Sequence, residues 1–278
     1  MITGHTRLIA HIGWPTQSFK APMIYNPWFD HAGVDVVVVP FGVPGRDFAG
    51  LLRPLFGATR NLVGALITMP HKVPTLDLVD QASPAARIAG ACNAVKRLED
   101  GRLVGDMFDG EGFVRGLRRK GCTLAGARAL VVGAGGVGSA IAASLAGAGV
   151  AELGLVDTDA ERASGLAARL AQHHPALRVG QVGADPAGYD IVVNATPLGM
   201  NEGDPLPVAV ERIAPTAFVG EVVMKAEMTA FLRAVAERGC RYQIGSDMLF
   251  EQIPAYLEFF GLPSTTAEQL RELATLRY

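Results

Sequence analysis

Residues Arg128 to Asp157 constrain the fold of this chain more than any other stretch. A short apolar run, Ala129 to Val132, reads as a strand. It feeds a turn holding Gly133, Gly135 and Gly138, with Ala134, Gly136 and Val137 between them. A small-residue helix from Ser139 to Ala148 follows, then a second strand, Leu153 to Val156, that ends in Asp157. In this order the first glycine permits a tight turn, the second lets a pyrophosphate approach the backbone, and the third lets helix and strand pack closely. The helix N-terminus supplies N–H groups and partial positive charge for phosphates. A glycine-lined turn that binds nothing is the plain alternative. The strand–turn–helix context and the acid about twenty residues on favour a dinucleotide. Asp157 suits ribose hydroxyls and would repel a 2′-phosphate, which an arginine usually accommodates. The local sequence Thr158-Asp159-Ala160-Glu161-Arg162 is acidic on balance. The expected cofactor is therefore NAD rather than NADP.

The rest of the chain points to an α/β protein with two domains. Leu8 to Ile12, Val34 to Val39 and Leu62 to Ile67 read as strands, the second ended by Pro40. Helical stretches around Pro22 to His31 and Arg46 to Phe56 fall between them, which argues for βαβ units and a mainly parallel sheet. Ala94 to Arg97 and Arg102 to Gly105 flank Glu99-Asp100-Gly101, a hairpin turn. The expected division is an N-terminal substrate domain over 1–108, completed by C-terminal helices in 243–278, and a doubly wound Rossmann domain over 109–242. Substrate would sit on the first and cofactor on the second.

Composition limits the partners. The 278 residues are 49% hydrophobic and 19% charged, enough for two cores and too apolar for disorder. A net charge of −2 gives no electrostatic case for nucleic acid or an anionic membrane. Cys92, Cys122 and Cys240 are odd in number and widely spaced, which suits free thiols in a reducing compartment. No signal core, membrane span or metal spacing is visible. The expectation is a cytoplasmic protein, monomer or homodimer, with a small-molecule substrate and no metal.

Polar groups cluster after strands of the first domain. Thr68 and Lys72 follow the strand Leu62 to Ile67, at the carboxyl end where open α/β sheets bind ligands. Asn93 lies in a small-residue turn, and Asp109 stands where the domains meet in sequence. Singly, each has a dull explanation as a surface lysine, a turn former or a helix cap.

Together these segments carry a resemblance to the shikimate dehydrogenase family, which includes quinate dehydrogenases. The matching segments are G-W-P-x-x-x-x-K-A-P (Gly13 to Pro22), I-T-M-P-H-K (Ile67 to Lys72), A-G-A-C-N-A (Ala89 to Ala94) and G-D-M-F-D-G (Gly105 to Gly110). G-A-G-G-V-G (Gly133 to Gly138), N-A-T-P-L-G-M (Asn194 to Met200) and M-L-F-E-Q (Met248 to Gln252) complete the set. The resemblance implies a nicotinamide-dependent oxidation of a ring alcohol with Lys72 and Asp109 as the catalytic pair. It implies Thr68, Asn93 and Gln252 as substrate contacts. It places Asn194, Ala195, Thr196 and Met200 in a loop beside the nicotinamide, and Gly245 at the cleft.

One part of the pattern departs. The family normally has two serines around a lysine that hold the substrate carboxylate. Here Phe19 and Ala21 flank Lys20, with Ser18 shifted by one. Leu66 stands in place of a family asparagine, Met224 (followed by Lys225) in place of a tyrosine, and Met107-Phe108 in place of Asn-Thr. A hydrogen bond to a charged group contributes about 1.5–3 kcal/mol. Losing two weakens binding by about two to four powers of ten unless Ser18, Lys20 or Lys225 compensates. Poor turnover of shikimate, or a shifted substrate, is the expectation. A non-catalytic protein sensing a dinucleotide or metabolite is the alternative. A related dehydrogenase acting on a folate or another carbonyl compound is a third reading.

Overall fold

A computed structural model describes residues 2–17 and 19–276. Two compact units emerge, Met1–Phe108 with Ile253–Tyr278, and Asp109–Gln252. The C-terminal boundary differs from the expected 242/243. It falls inside a single helix, Gly245–Phe259, whose first half packs in the second unit and whose second half packs in the first.

The first unit is built on a six-stranded sheet. Its strands are β1 (Arg7–Gly13), β2 (Val36–Gly42), β3 (Leu62–Ile67), β4 (Gln81–Ala82), β5 (Ala94–Arg97) and β6 (Leu103–Asp106), in the order β2-β1-β3-β5-β6-β4. β1 pairs in parallel with β2 and β3, while the β5–β6 hairpin adds antiparallel pairs. Helices α1 (Pro22–His31), α2 (Gly45–Ala58), α3 (Lys72–Leu78) and α4 (Pro84–Ala89) fill the connections. Ala10 and Ile12 of β1 point into a core with Phe48, Leu52 and Phe56 of α2. β2 runs through Pro40 rather than stopping at it. β2 lies at the sheet edge, where a residue without an N–H costs no ladder bond.

The second unit holds α5 (Asp109–Arg119), β7 (Arg128–Val132), α6 (Gly136–Gly147), β8 (Glu152–Val156), α7 (Ala160–His173), β9 (Arg178–Gln181), β10 (Ile191–Asn194), β11 (Phe218–Glu221), α8 (Ala230–Glu237) and β12 (Arg241–Gln243). The sheet order is β12-β11-β10-β7-β8-β9, all parallel. This is the doubly wound order with its switch point between β7 and β10. α5 packs tightly on α6, since a Cβ at Gly110 would stand 1.9 Å from the Ala140 carbonyl oxygen. The last two helices are α9 (Gly245–Phe259) and α10 (Ala267–Leu273). Thr266 caps α10 by accepting from Gln269 N–H at 3.3 Å. Beyond it, Thr275 N–H reaches the Met23 carbonyl of α1 at 2.9 Å.

Candidate active site

In the first unit, the strand ends gather the sequence-predicted residues through the backbone. Thr68 continues β3, and its N–H donates to the Ile12 carbonyl at 2.9 Å. Four residues later, past one turn, Lys72 opens α3, half-buried. Beneath it His71 is fixed as a plug. Its Nε2 lies 2.7 Å from the Val43 carbonyl and its ring stacks on Phe48 with centroids 4.0 Å apart. The Lys72 carbonyl accepts Cys92 N–H at 2.9 Å, which ties α3 to the turn before β5.

Asn93 is the hub of that turn. It is fully buried. Its carbonyl accepts Ile67 N–H at 2.8 Å, and its N–H donates to Asp106 at 2.9 Å. Its side-chain oxygen accepts Phe108 N–H at 2.9 Å. Asp106 is held in turn by the Ser83 hydroxyl and by Met107 N–H at 2.7 Å. The chain then passes directly to Asp109, buried at the start of α5. An acid in a first helical turn meets the positive end of the helix dipole.

The loop after β1 differs in kind. Ser18 lies outside the described residues. Lys20 is half-buried and is not without a partner. Phe19 stacks on the buried His11 of β1 with ring centroids 4.1 Å apart. Burial, and after it the charge of Lys72, lower the His11 pKa to about 4. The sequence offered a lone histidine no role, and only its pairing with Phe19 distinguishes it. Leu66 is buried, so that position adds no polar group.

In the second unit the glycine turn has the form a dinucleotide needs. Gly133 adopts φ 102°, and a Cβ there would stand 2.8 Å from the Ala195 carbonyl oxygen. A Cβ on Gly138 would stand 1.8 Å from the Gly133 carbonyl oxygen. By contrast, Cβ atoms on Gly135 and Gly136 would meet nothing within 4 Å. Those two glycines face open space at the N-terminus of α6, where a pyrophosphate can approach the first-turn N–H groups. Two glycines therefore serve packing, and two leave a cradle that a side chain would fill.

Asp157 is occupied differently from the expectation. One carboxylate oxygen accepts Ala134 N–H of the glycine turn at 2.7 Å, and the other accepts Asp159 N–H at 2.9 Å. Burial alone would raise its pKa, but these two bonds and the nearby Arg162 outweigh burial and leave it lowered. Arg162, half exposed, lies 3.9 Å from Asp157 and 3.6 Å from Asp159. The carboxylate helps to shape the turn, and the exposed charges beside it are one cation, Arg162, and one anion, Asp159.

The loop after β10 flanks the same switch point. Asn194 is fully buried, and its amide donates to the Leu198 carbonyl at 3.0 Å. Its side-chain oxygen accepts the Thr196 hydroxyl at 2.6 Å and the Thr196 N–H at 3.1 Å. Asn194 thus folds the loop that carries Ala195, Thr196 and the exposed Met200. Glu221 at the end of β11, which sequence reasoning passed over, faces Asn194 Nδ2 at 3.5 Å. Burial raises its pKa, and bonds from Thr229 and Asn194 pull it partly back. Gly245 is a packing glycine, since a Cβ there would stand 2.0 Å from the Val223 carbonyl oxygen. Gln252 packs on Gly112, and its side-chain oxygen is buried without a hydrogen-bond partner. Among the described residues no helix is long and apolar enough to cross a membrane.

A parallel doubly wound unit with this cradle belongs to the class of dinucleotide-binding α/β units, and the other unit is an α/β sheet of its own. Comparison with known proteins supplies the family. The model of the shikimate dehydrogenase substrate binding domain matches residues 12–95, and that of the ThiF family matches 118–172. A shikimate dehydrogenase (NADP(+)) of Rubrobacter xylanophilus is 39% identical over 90% of this chain and 89% of its own length. The crystal structure of shikimate 5-dehydrogenase from Listeria monocytogenes, in complex with shikimate and NAD, has a TM-score of 0.90. It is 28% identical, covering 98% of this chain and 97% of that one. The 5-ketofructose reductase of Gluconobacter sp. strain CHM43 has a TM-score of 0.87 at 27% identity, covering 96% and 97%. The chain belongs to the shikimate dehydrogenase family.

The comparisons also correct the expected cofactor. Curated relatives are named for NADP(+) and point to NADP rather than NAD. The argument from Asp157 fails for the reason given above. Its oxygens also accept backbone N–H groups that shape the turn, so an acid at this position does not by itself report a ribose ligand.

Proposed function

We propose that this protein interconverts a ring hydroxyl and a ketone on shikimate or a related cyclic polyol, with NADP as the redox partner. The observation that carries the reading is the backbone network around Asn93. It fixes Lys72 and the residue before Asp109 to one turn by bonds of 2.9 Å each, at the carboxyl ends of β3 and β6.

The bound nicotinamide supplies the hydride chemistry. Lys72 and Asp109 are assigned the proton of the reacting hydroxyl. A positioned amine and carboxylate are suited to remove it in oxidation, return it in reduction, and stabilise alkoxide charge. Thr68, Asn93 and Gln252 are assigned to hydrogen bonds with the substrate. The glycine turn would hold the pyrophosphate, and the loop formed by Asn194, with Ala195 and Thr196, would border the nicotinamide. Relatives named for shikimate and for 5-ketofructose support a common frame that serves more than one ring or keto sugar.

The test follows NADPH absorbance over a panel of cyclic polyols in wild type and in Lys72→Ala. Turnover of at least one polyol in wild type, lost in the variant while NADP binding persists, supports the reading. A wild type that binds NADP and oxidises none of them, with no ketone reduced in reverse, overturns it.

A further inference from the structure

One cluster in the first unit has no part in the handling of the reacting hydroxyl. His11 lies on β1, two residues before the strand ends at Gly13. The ring is 9% exposed, and its Nδ1 is buried without a hydrogen-bond partner. Phe19 covers it with planes 30° apart. A Cβ built on Gly13 would stand 2.4 Å from the Thr68 methyl and 2.8 Å from the Phe19 ring. His11, Phe19 and Thr68 therefore meet at the carboxyl ends of β1 and β3. The chain leaves β1 for β2 on one side, and β3 lies on the other. That makes this the switch point of the first sheet, the place where open α/β sheets take ligands. A buried ring nitrogen without a partner is costly, and each such group calls for an explanation.

We infer that this strand-end cluster takes a neutral hydroxyl or carbonyl substituent of the substrate, not a carboxylate, with His11 as its hydrogen-bonding contact and Phe19 as its apolar wall. The inference rests on the reaction proposed above and specifies a second substituent of its substrate. A carboxylate is bound well by charge-assisted donors, which make the stronger hydrogen bonds. Phe19 has no polar atom, and Ala21 has only a methyl. The His11 pKa of about 4 leaves its ring uncharged at neutral pH. A neutral imidazole donates one hydrogen bond and accepts one. That complements a hydroxyl, which also does both, whereas a carboxylate only accepts. An anion pressed against the Phe19 ring would also lose hydration without repayment.

The test compares shikimate with its methyl ester, which keeps the ring hydroxyls and removes the charge. Both are titrated calorimetrically into wild-type protein saturated with NADPH, which cannot oxidise an alcohol, so binding is read without turnover. The ester is expected to bind at least tenfold more tightly than shikimate. His11→Val should weaken the ester at least fivefold. The double variant Phe19→Ser with Ala21→Ser should shift the preference toward shikimate by tenfold or more. A wild type that binds shikimate as tightly as the ester, or an ester affinity unchanged in His11→Val, overturns the inference. Preference for the ester, with no polyol of the panel oxidised and no ketone reduced, would sink the reaction and leave this inference standing. Oxidation of both with tighter binding of shikimate would do the reverse.

Discussion

The side-chain oxygen of Asn93 accepts the backbone N–H of Phe108 at 2.9 Å, and Phe108 is the residue before Asp109. The bond makes a buried amide the link between the turn that holds Lys72 and the chain entering α5. Asn93→Ala leaves the Phe108 N–H without its acceptor, at a cost of about 1–3 kcal/mol. Urea unfolding should show that loss, and kcat/KM should fall by more than tenfold as the segment before Asp109 loosens and the substrate contact assigned to Asn93 is removed. Unchanged stability and kinetics would show that the tether is dispensable.

The glycine turn predicts a contrast between neighbours. Gly138→Ala forces a methyl against the Gly133 carbonyl and should lower the melting temperature by several degrees. Gly135→Ala meets no protein atom, and its φ of −70° suits alanine. It should keep the melting temperature and raise the NADP dissociation constant at least tenfold by filling the cradle. Equal effects on folding from both would contradict the division into packing and cradle glycines.

Arg162 is the exposed cation beside Asp157 and Asp159. Arg162→Ala should raise KM for NADP by about tenfold or more, since a charged contact to phosphate contributes about 1.5–3 kcal/mol. KM for NAD should change little. Parallel changes in both would remove Arg162 from recognition of the 2′-phosphate.

Such a role illustrates what the sequence could and could not carry. The strand–glycine–helix–strand order is legible because each element has local punctuation, and the family segments fix the order of the rest. β9 is not legible. Arg178-Val179-Gly180-Gln181 is an edge strand without an apolar run. β4 is two residues long and exists only by pairing with β6. Asp157 is visible as an acid at a strand end, but the sequence does not say that its oxygens are taken by Ala134 and Asp159. His11 and Glu221 are single buried polar residues in apolar strands, and their significance lies in the folded packing against Phe19 and Asn194.

The buried His11 predicts a pH signature. Its pKa falls from 6.5 to about 4 on folding. Between those values the unfolded chain takes up a proton that the folded chain refuses. This contribution to stability is therefore complete above pH 6.5 and is lost as pH falls toward 4, by roughly 3 kcal/mol in all. The urea midpoint of wild type should drop between pH 7 and pH 4.5, and His11→Val should drop less. Identical drops would mean that His11 titrates normally.

Lys72 carries the central claim, and its replacement by alanine tests it most directly. Single-turnover kinetics with NADP and the best polyol should show the chemical step slowed by about a hundredfold to ten-thousandfold, the range of general acid–base catalysis. The NADP dissociation constant should stay within threefold of wild type. A chemical step within fivefold of wild type would contradict the assignment of Lys72 to the reacting hydroxyl.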